Sequence, residues 1–427
     1  IGKIKPRKAS EIKNSRIGIG FEKLDRKVFN PEKAYDKLAM IGAKWVRIQS
    51  GWERTEQEKG VYDFEWLDSI VDNLLERGLV PWINLAYGNG LYDDDAAKVF
   101  GAVGCPPVKS EEAKKGWADY ITALAAHMKG RISYYEVWNE PDGEWCWKHG
   151  PNGKEYGQFV VDTSVALKKG DSSAKVIGGA ICMAKPLDFA YDAFSVGMGE
   201  HIDAISFHEY VIDETVVFRH VKALRGLCNR FNPNIEIIQG ESGSQSRSDG
   251  RGAMRKGAWT PHKQAKQLLR HLMADLMTEV KFTSYFSCMD MIEALNGTVG
   301  DLVSYLDYGY FGVLGADFDA QGRSVGNYTP KPSYYALQTI SAIFSEDVQK
   351  ADLPIIRWPE VSDRLFGFDC DDPSIVEGGF KCENGSAAFV YWNSTNLMTT
   401  DFESTVTFYT AGLPDKIRLV DLMDGKV

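Results

Sequence analysis

The chain has 427 residues, 44% of them hydrophobic and a quarter charged, which is the make-up of a folded globular protein rather than a disordered or membrane-embedded one. Its 49 Lys and Arg against 59 Asp and Glu leave a net charge of −10, an acidic balance that argues against a phosphate-backbone partner, so no nucleic acid is expected. No apolar run has membrane-spanning length, so no membrane partner is expected; the chain starts at Ile1 without Met, which leaves export after removal of a leader open and the compartment unassigned.

Residues 1–15 are polar and basic. From Arg16 short apolar runs alternate with longer amphipathic ones, the pattern of successive βα units around a parallel sheet. The strands read from it are 17–21, 45–49, 80–86, 132–138, 175–181, 203–208, 235–239 and 282–288. Between them Trp66, Leu67, Ile70, Val71, Leu74 and Leu75 recur at helical steps, as do Leu268, Leu269, Leu272, Met273, Leu276 and Met277. Further helices fit 31–41, 111–128, 154–169, 186–198, 215–230 and 332–345. Eight such units, with no glycine-rich nucleotide turn after the first strand, predict an α/β fold closed as a (β/α)8 TIM barrel rather than an open sheet. The long connections 87–110, 242–262 and 289–331 all follow strand C-termini, which is the catalytic face of a barrel.

Beyond about residue 346 the period changes. Runs such as Ala387-Ala388-Phe389-Val390-Tyr391-Trp392 are separated by turn-rich text, as antiparallel strands are. The expected division is a catalytic barrel over 16–345 and a small C-terminal antiparallel β-sandwich domain over 346–427, which residues 1–15 are placed to complete. Seven cysteines form no C-x-x-C pair and have no closely spaced His partners, so no metal and no cofactor are expected. They read as free buried thiols, with a Cys370–Cys382 bridge the alternative in an exported protein.

Two strands end in a carboxylic acid. The β-branched and aromatic run Ile132 to Trp138 stops at Asn139-Glu140-Pro141, where proline cannot continue a sheet ladder. The apolar run Ile237-Ile238-Gln239-Gly240 delivers Glu241 in the same way. On strands four and seven both acids face one cleft from opposite sides of the barrel mouth. Glu140, left unpaired there, would have its ionised form disfavoured, as suits a proton donor. Such a pair is what glycosidic bond cleavage needs: one acid protonates the leaving oxygen while the other attacks the anomeric carbon or activates water. A separation of about 5–5.5 Å predicts retention and one of roughly 6.5–9.5 Å inversion.

Asn-Glu-Pro after a fourth strand with a lone Glu after a seventh resembles the pattern of the clan A glycoside hydrolases, which are retaining enzymes on (β/α)8 barrels. The stretch Gly60-Val61-Tyr62-Asp63-Phe64-Glu65-Trp66-Leu67-Asp68 and the trailing β-sandwich look most like family 39, with family 5 next. The resemblance implies acid/base duty for Glu140 and nucleophile duty for Glu241. It also implies that Asn139 contacts the sugar 2-hydroxyl, that Arg47 lies beside the nucleophile, and that His208 and Tyr210 form a His-x-Tyr pair whose tyrosine reaches it. Strand eight, Tyr285-Phe286-Ser287-Cys288-Met289-Asp290, departs from family 5 in having no tryptophan platform. Aromatic residues in the cleft loops, Trp52, Trp147 and Trp259 among them with Tyr87, Tyr92 and Trp145, are read as faces for sugar C–H stacking. Arg247, Arg251, Arg255 and Lys256 offer charge for an acidic sugar, against a solvated loop as the plainer reading.

The expected function is a retaining β-glycosidase on a carbohydrate substrate. A transglycosylase using the same glutamates and a non-catalytic carbohydrate-binding barrel are the alternatives. The sugar, its linkage, exo or endo action and the oligomeric state are not fixed by the sequence.

Overall fold

The computed structural model describes residues 2–183, 186–293, 308–358, 374–382, 384–400, 405–412 and 416–427. Eight parallel strands close a barrel in chain order: β1 (Ile17–Gly20), β2 (Trp45–Gln49), β3 (Val80–Leu85), β4 (Tyr134–Val137), β5 (Lys175–Cys182), β6 (Ala204–Glu209), β7 (Glu236–Ser242) and β8 (Thr283–Tyr285). Closure is made by β8 against β1, with Ile17 opposite Thr283. The strands are buried on both faces, which is why they read as near-continuous apolar runs instead of alternating ones.

The helices that cover the barrel are α1 (Tyr35–Ile41), the single turn α2 (Trp52–Thr55), α3 (Glu65–Glu76), α4 (Glu111–Met128), α5 (Gly153–Gly170), α6 (Asp188–Ser195), α7 (Met198–His201), α8 (Val216–Phe231), α9 (Pro261–Leu276) and α10 (Pro332–Ile343). Helices α4, α5 and α9 carry side-chain N-caps. Ser110 accepts from the Ala113 amide at the start of α4, and Thr260 from Lys263 at the start of α9, each satisfying an orphan donor. Helix α3 buries Leu67, Ile70, Val71 and Leu74. It then stops in a Schellman turn, with Gly78 donating to Leu75 and Leu79 to Leu74. Gly78 is needed there: its φ is +76° and a Cβ would lie 2.6 Å from Ser10 Cα.

Strand β8 falls furthest short of the run read from the sequence, and β4 is also shorter. The apolar run of β8 continues to Cys288, yet the ladder ends at Tyr285 because Ser287 pairs with the later segment, donating to Phe311 and accepting from Val313.

The barrel interior is layered. At its N-terminal end Trp82, Ile177, Ala204, Ile238 and Phe282 form a separate apolar floor flanked by Trp45 and Tyr134, with Trp45 stacked on Phe282 at 4.3 Å. One step along the strands Arg47, Asn84 and Glu136 make a wholly buried polar level, the Arg47 guanidinium lying 5.5 Å from the Trp82 ring.

Past β8 the sheets are small and antiparallel: β9 (Met291–Ile292) with β10 (Tyr308–Gly309), β11 (Leu314–Phe318) with β12 (Ser324–Pro330), β13 (Gln349–Lys350) with β15 (Ile375–Lys381) and β16 (Ala387–Asn393), and β14 (Ile355–Trp358) with β17 (Thr407–Thr410). The chain is thus a TIM barrel with C-terminal antiparallel sheets. These seat on the barrel through Phe380 against Phe344 at 5.1 Å and through the Trp392 indole, which donates to Glu214 at 2.7 Å. Ile4 donates to Gly425 and Val427 to Gly2, so the first residues lie along the last. Among the described residues no helix is long and apolar enough to cross a membrane. The Cys370–Cys382 pairing falls outside the described residues, because Cys370 is not among them.

Candidate active site

The end of β4 is a backbone turn that aims two side chains. Trp138 and Glu140 have φ of +68° and +44°, a conformation that L residues adopt only under constraint, and Asn139 sits between them. The constraint is supplied by the Trp138 indole donating to the Cys146 carbonyl at 2.7 Å and the Glu140 amide donating to Ala180 at 3.0 Å.

Glu241, on β7, accepts from Arg47 on one oxygen and from the Tyr210 hydroxyl on the other at 2.7 Å. Burial pushes its carboxyl up, but the nearby His208 and Arg47 charges and the Tyr210 hydrogen bond outweigh burial and hold it below the usual carboxylate range. Glu140 accepts from the Trp145 indole on one oxygen, and its other oxygen lies 3.1 Å from His208 Nδ1. The sequence-based picture of an unpaired Glu140 is therefore corrected, since both its oxygens have partners. Carboxylate oxygens of Glu140 and Glu241, together with a ring nitrogen of His208, all lie within 4.8 Å of one another.

Arg47 is the hub beneath them. Completely buried, it donates from Nε to Glu136 at 2.8 Å, from Nη1 to Glu22 at 3.2 Å and to Glu241, and from Nη2 to Asn139 Oδ1 at 2.8 Å. Burial alone would favour losing its proton, but Glu136, Glu241 and Glu22 hold its pKa well above the ordinary value. Asn139, with its oxygen taken by Arg47, turns its amide nitrogen toward Cys146 Sγ at 3.5 Å. The Glu22 carboxyl is pushed up to about 7, by burial first and by the Glu241 charge, against the pull of Arg47.

Asn139, Glu140, Tyr210 and Glu241 line one cavity. Arg47 and His208 lie behind its wall. Residues that sequence reasoning missed complete it: Glu22, Lys23 and Arg26 after β1, Gln49 at the end of β2, Phe286 after β8, and Glu293. Lys23 donates to the Ile292 carbonyl at 2.9 Å and pairs with Glu293 at 3.3 Å. A signal for part of this was present: a strand-interior Glu136 and a strand-interior Arg47 can only be tolerated in a barrel core as partners.

Three expected sugar contacts are corrected. Trp52 is fully buried between Tyr92 and Tyr120 and donates to Glu56. Trp147 packs against Trp138, Tyr156 and Phe159 and donates to Glu155 at 3.0 Å. Trp259 is buried and donates to the Met254 carbonyl at 2.8 Å. None lines the cavity, because each indole finds both its packing and its acceptor inside the protein. Of the other loop aromatics Tyr87 does line it. The loop cations stay outside: Arg247 pairs with Asp249 and lies over Tyr310, and Arg255 donates to Gly252. One imidazole and two carboxylates are also a donor set that a divalent ion accepts in general, but here Arg47, Tyr210 and Trp145 already occupy the carboxylates.

Residues 33–225 match the model of glycosyl hydrolases family 39. A β-xylosidase of Caldicellulosiruptor saccharolyticus is 30% identical over 191 residues, 40% of this chain and 38% of that protein. A β-xylosidase of Geobacillus stearothermophilus is 29% identical over 222 residues, 47% of this chain and 42% of that protein. The match thus spans well under half the length of either curated relative. In fold, the chain is similar to a family 39 glycoside hydrolase from Bacteroides cellulosilyticus WH2, with a TM-score of 0.61 at 16% identity over 88% of this chain and 70% of that one.

Proposed function

We propose that the chain is a family 39-like glycoside hydrolase of clan A, a retaining β-glycosidase with Glu241 as nucleophile and Glu140 as acid/base. The observation that carries the reading is the approach of the two carboxylates, with oxygens inside 4.8 Å of each other. So close an approach favours the roughly 5–5.5 Å regime of double displacement over the wider spacing of an inverting enzyme.

In the first step Glu241 attacks the anomeric carbon, the bond to the leaving oxygen breaks, and the proton of Glu140 goes to that oxygen. In the second, Glu140 removes a proton from water, the oxygen of that water bonds to the anomeric carbon, and the ester to Glu241 breaks. Arg47 and Tyr210 keep the attacking carboxylate ionised and aimed. Asn139 presents its amide where a 2-hydroxyl contact is expected. The first substrates to test are β-xylosides, since both curated relatives are named β-xylosidases.

Glu140→Ala separates the two steps. With an activated aryl β-xyloside, which needs little protonation, glycosylation should persist and deglycosylation become limiting, with azide restoring turnover as the β-glycosyl azide. With a poor leaving group the loss should be about 10²–10⁴-fold. Equal losses on both substrates, or a first-formed product of inverted configuration by NMR, would overturn the assignment.

A further inference from the structure

His208 touches both carboxyl groups with one nitrogen. Its Nδ1 lies 3.1 Å from a Glu140 oxygen and 3.7 Å from a Glu241 oxygen, and the ring is wholly buried. In the barrel register His208 stands opposite Glu241 on one side and Cys182 on the other. Among the described residues Nε2 has no hydrogen-bond partner, and neither has Glu136 Oε1. Both atoms lie 3.0 Å from the point where a Cβ on Gly240 would stand, so the missing side chain at Gly240 leaves the Nε2 side of the ring open toward Glu136. The ring therefore has a carboxyl group on each side. The groups around it are Glu136 and Glu140 from β4 and its end, Glu241 from β7, Arg47 from β2, Tyr210 just past the end of β6, and Cys182 from β5, whose thiol interacts with Glu140. Three carboxyl groups thus stand against one guanidinium.

We infer that His208 is a permanent imidazolium and the shared counter-ion of the catalytic pair, a positioning residue that compensates Glu241 in the resting protein and Glu140 in the glycosyl-enzyme. The inference rests on the double-displacement reading for its second half only. In the resting state His208 is positive, Glu241 negative and Glu140 protonated. When Glu241 bonds to the anomeric carbon it becomes a neutral ester, and Glu140, having passed its proton to the leaving oxygen, becomes the negative partner. Hydrolysis returns the charge: Glu140 takes a proton from water and Glu241 leaves as carboxylate. The trio is neutral at every stage and the imidazolium never transfers its proton. Burial works against a charged ring, yet the Glu241 charge and the Glu140 hydrogen bond hold its pKa above the ordinary histidine value. A fixed cation that serves both negative states needs no reorganisation between the steps.

The test is nitrogen NMR of the ring in the whole, ¹⁵N-histidine-labelled chain, whose seven histidines are resolved by loss of one signal in His208→Asn. If that variant does not fold, the signal is assigned from its displacement in Glu140→Gln or Glu241→Gln. The expected result is an imidazolium at neutral pH in the resting protein, unchanged after trapping with a 2-deoxy-2-fluoro aryl β-xyloside. A neutral ring at rest, or a ring that loses its proton on trapping, overturns the inference. If mass spectrometry finds no adduct, the hydrolase reading fails, while the resting spectrum still decides the counter-ion. In addition His208→Asn, which keeps an N–H toward Glu140 but not the charge, should move both limbs of the kcat/KM–pH profile upward by about one unit or more. Limbs that stay in place would mean that the ring only packs.

Discussion

Glu241→Ala is expected to abolish turnover of an activated aryl β-xyloside, lowering kcat on the order of 10⁵-fold or more, because covalent catalysis loses the one carboxylate held by both Arg47 and Tyr210. The fold should survive. Glu241 is held by Arg47 and Tyr210, and Arg47 keeps Glu136, Glu22 and Asn139 when Glu241 is gone. The truncation also opens space beneath the anomeric carbon. Formate or azide entering it should restore part of the activity, and azide should give an α-configured glycosyl azide, the opposite of the product from Glu140→Ala. The same anomer from both variants would mean that the two roles are misassigned, and wild-type-like turnover would remove Glu241 from the chemistry.

Arg47→Met is expected to be the most damaging change to stability near the site. The side chain has no exposure and its guanidinium faces Glu22, Glu136 and Glu241. Removing a buried charge while leaving its partners costs about 3–5 kcal/mol, much of it from the partners that remain. The pH dependence gives the sign. In the unaltered protein Glu241 sits below the ordinary carboxylate range, so its ionisation adds stability that is lost only as pH falls toward that lowered value. Without Arg47, burial is opposed there only by its remaining neighbours, and Glu22, already pushed up to about 7, rises further. The native state then binds more protons than the unfolded chain across the neutral range, and stability falls as pH rises. The gap in urea midpoint between the variant and the unaltered protein should therefore be widest at about pH 8 and narrow toward about pH 5. A gap independent of pH would show that lost packing, and not charge, is the damage.

The strands were legible because a barrel buried on both sides demands unbroken apolar runs, and Ile17–Gly20, Val80–Leu85 and Lys175–Cys182 show them. Glu140 and Glu241 stood out as acids directly behind such runs. The tryptophans did not sort in the same way, since a ring that stacks on sugar and a ring that packs a core have one composition. Trp52 differs from Tyr87 only in where the turn α2 points it. Lys23 and Glu293 were invisible for another reason. They lie 270 residues apart and meet only because β8 closes on β1, so neither position carries a local signal. His208 could be suspected from His-x-Tyr, but its place between two carboxyl groups comes from the register of β5, β6 and β7.

The apolar floor of Trp45, Trp82 and Phe282 does more than fill the barrel. It is an insulator at one end of a charged layer. Water at the far mouth cannot screen Arg47 through it, whereas the cleft side opens directly onto the cavity. Field lines from the buried charges therefore emerge on one side only, toward a bound sugar. A small polar residue in place of Trp82 would admit a second path for screening, and the potential in the cleft would weaken with no change to any residue that meets the substrate.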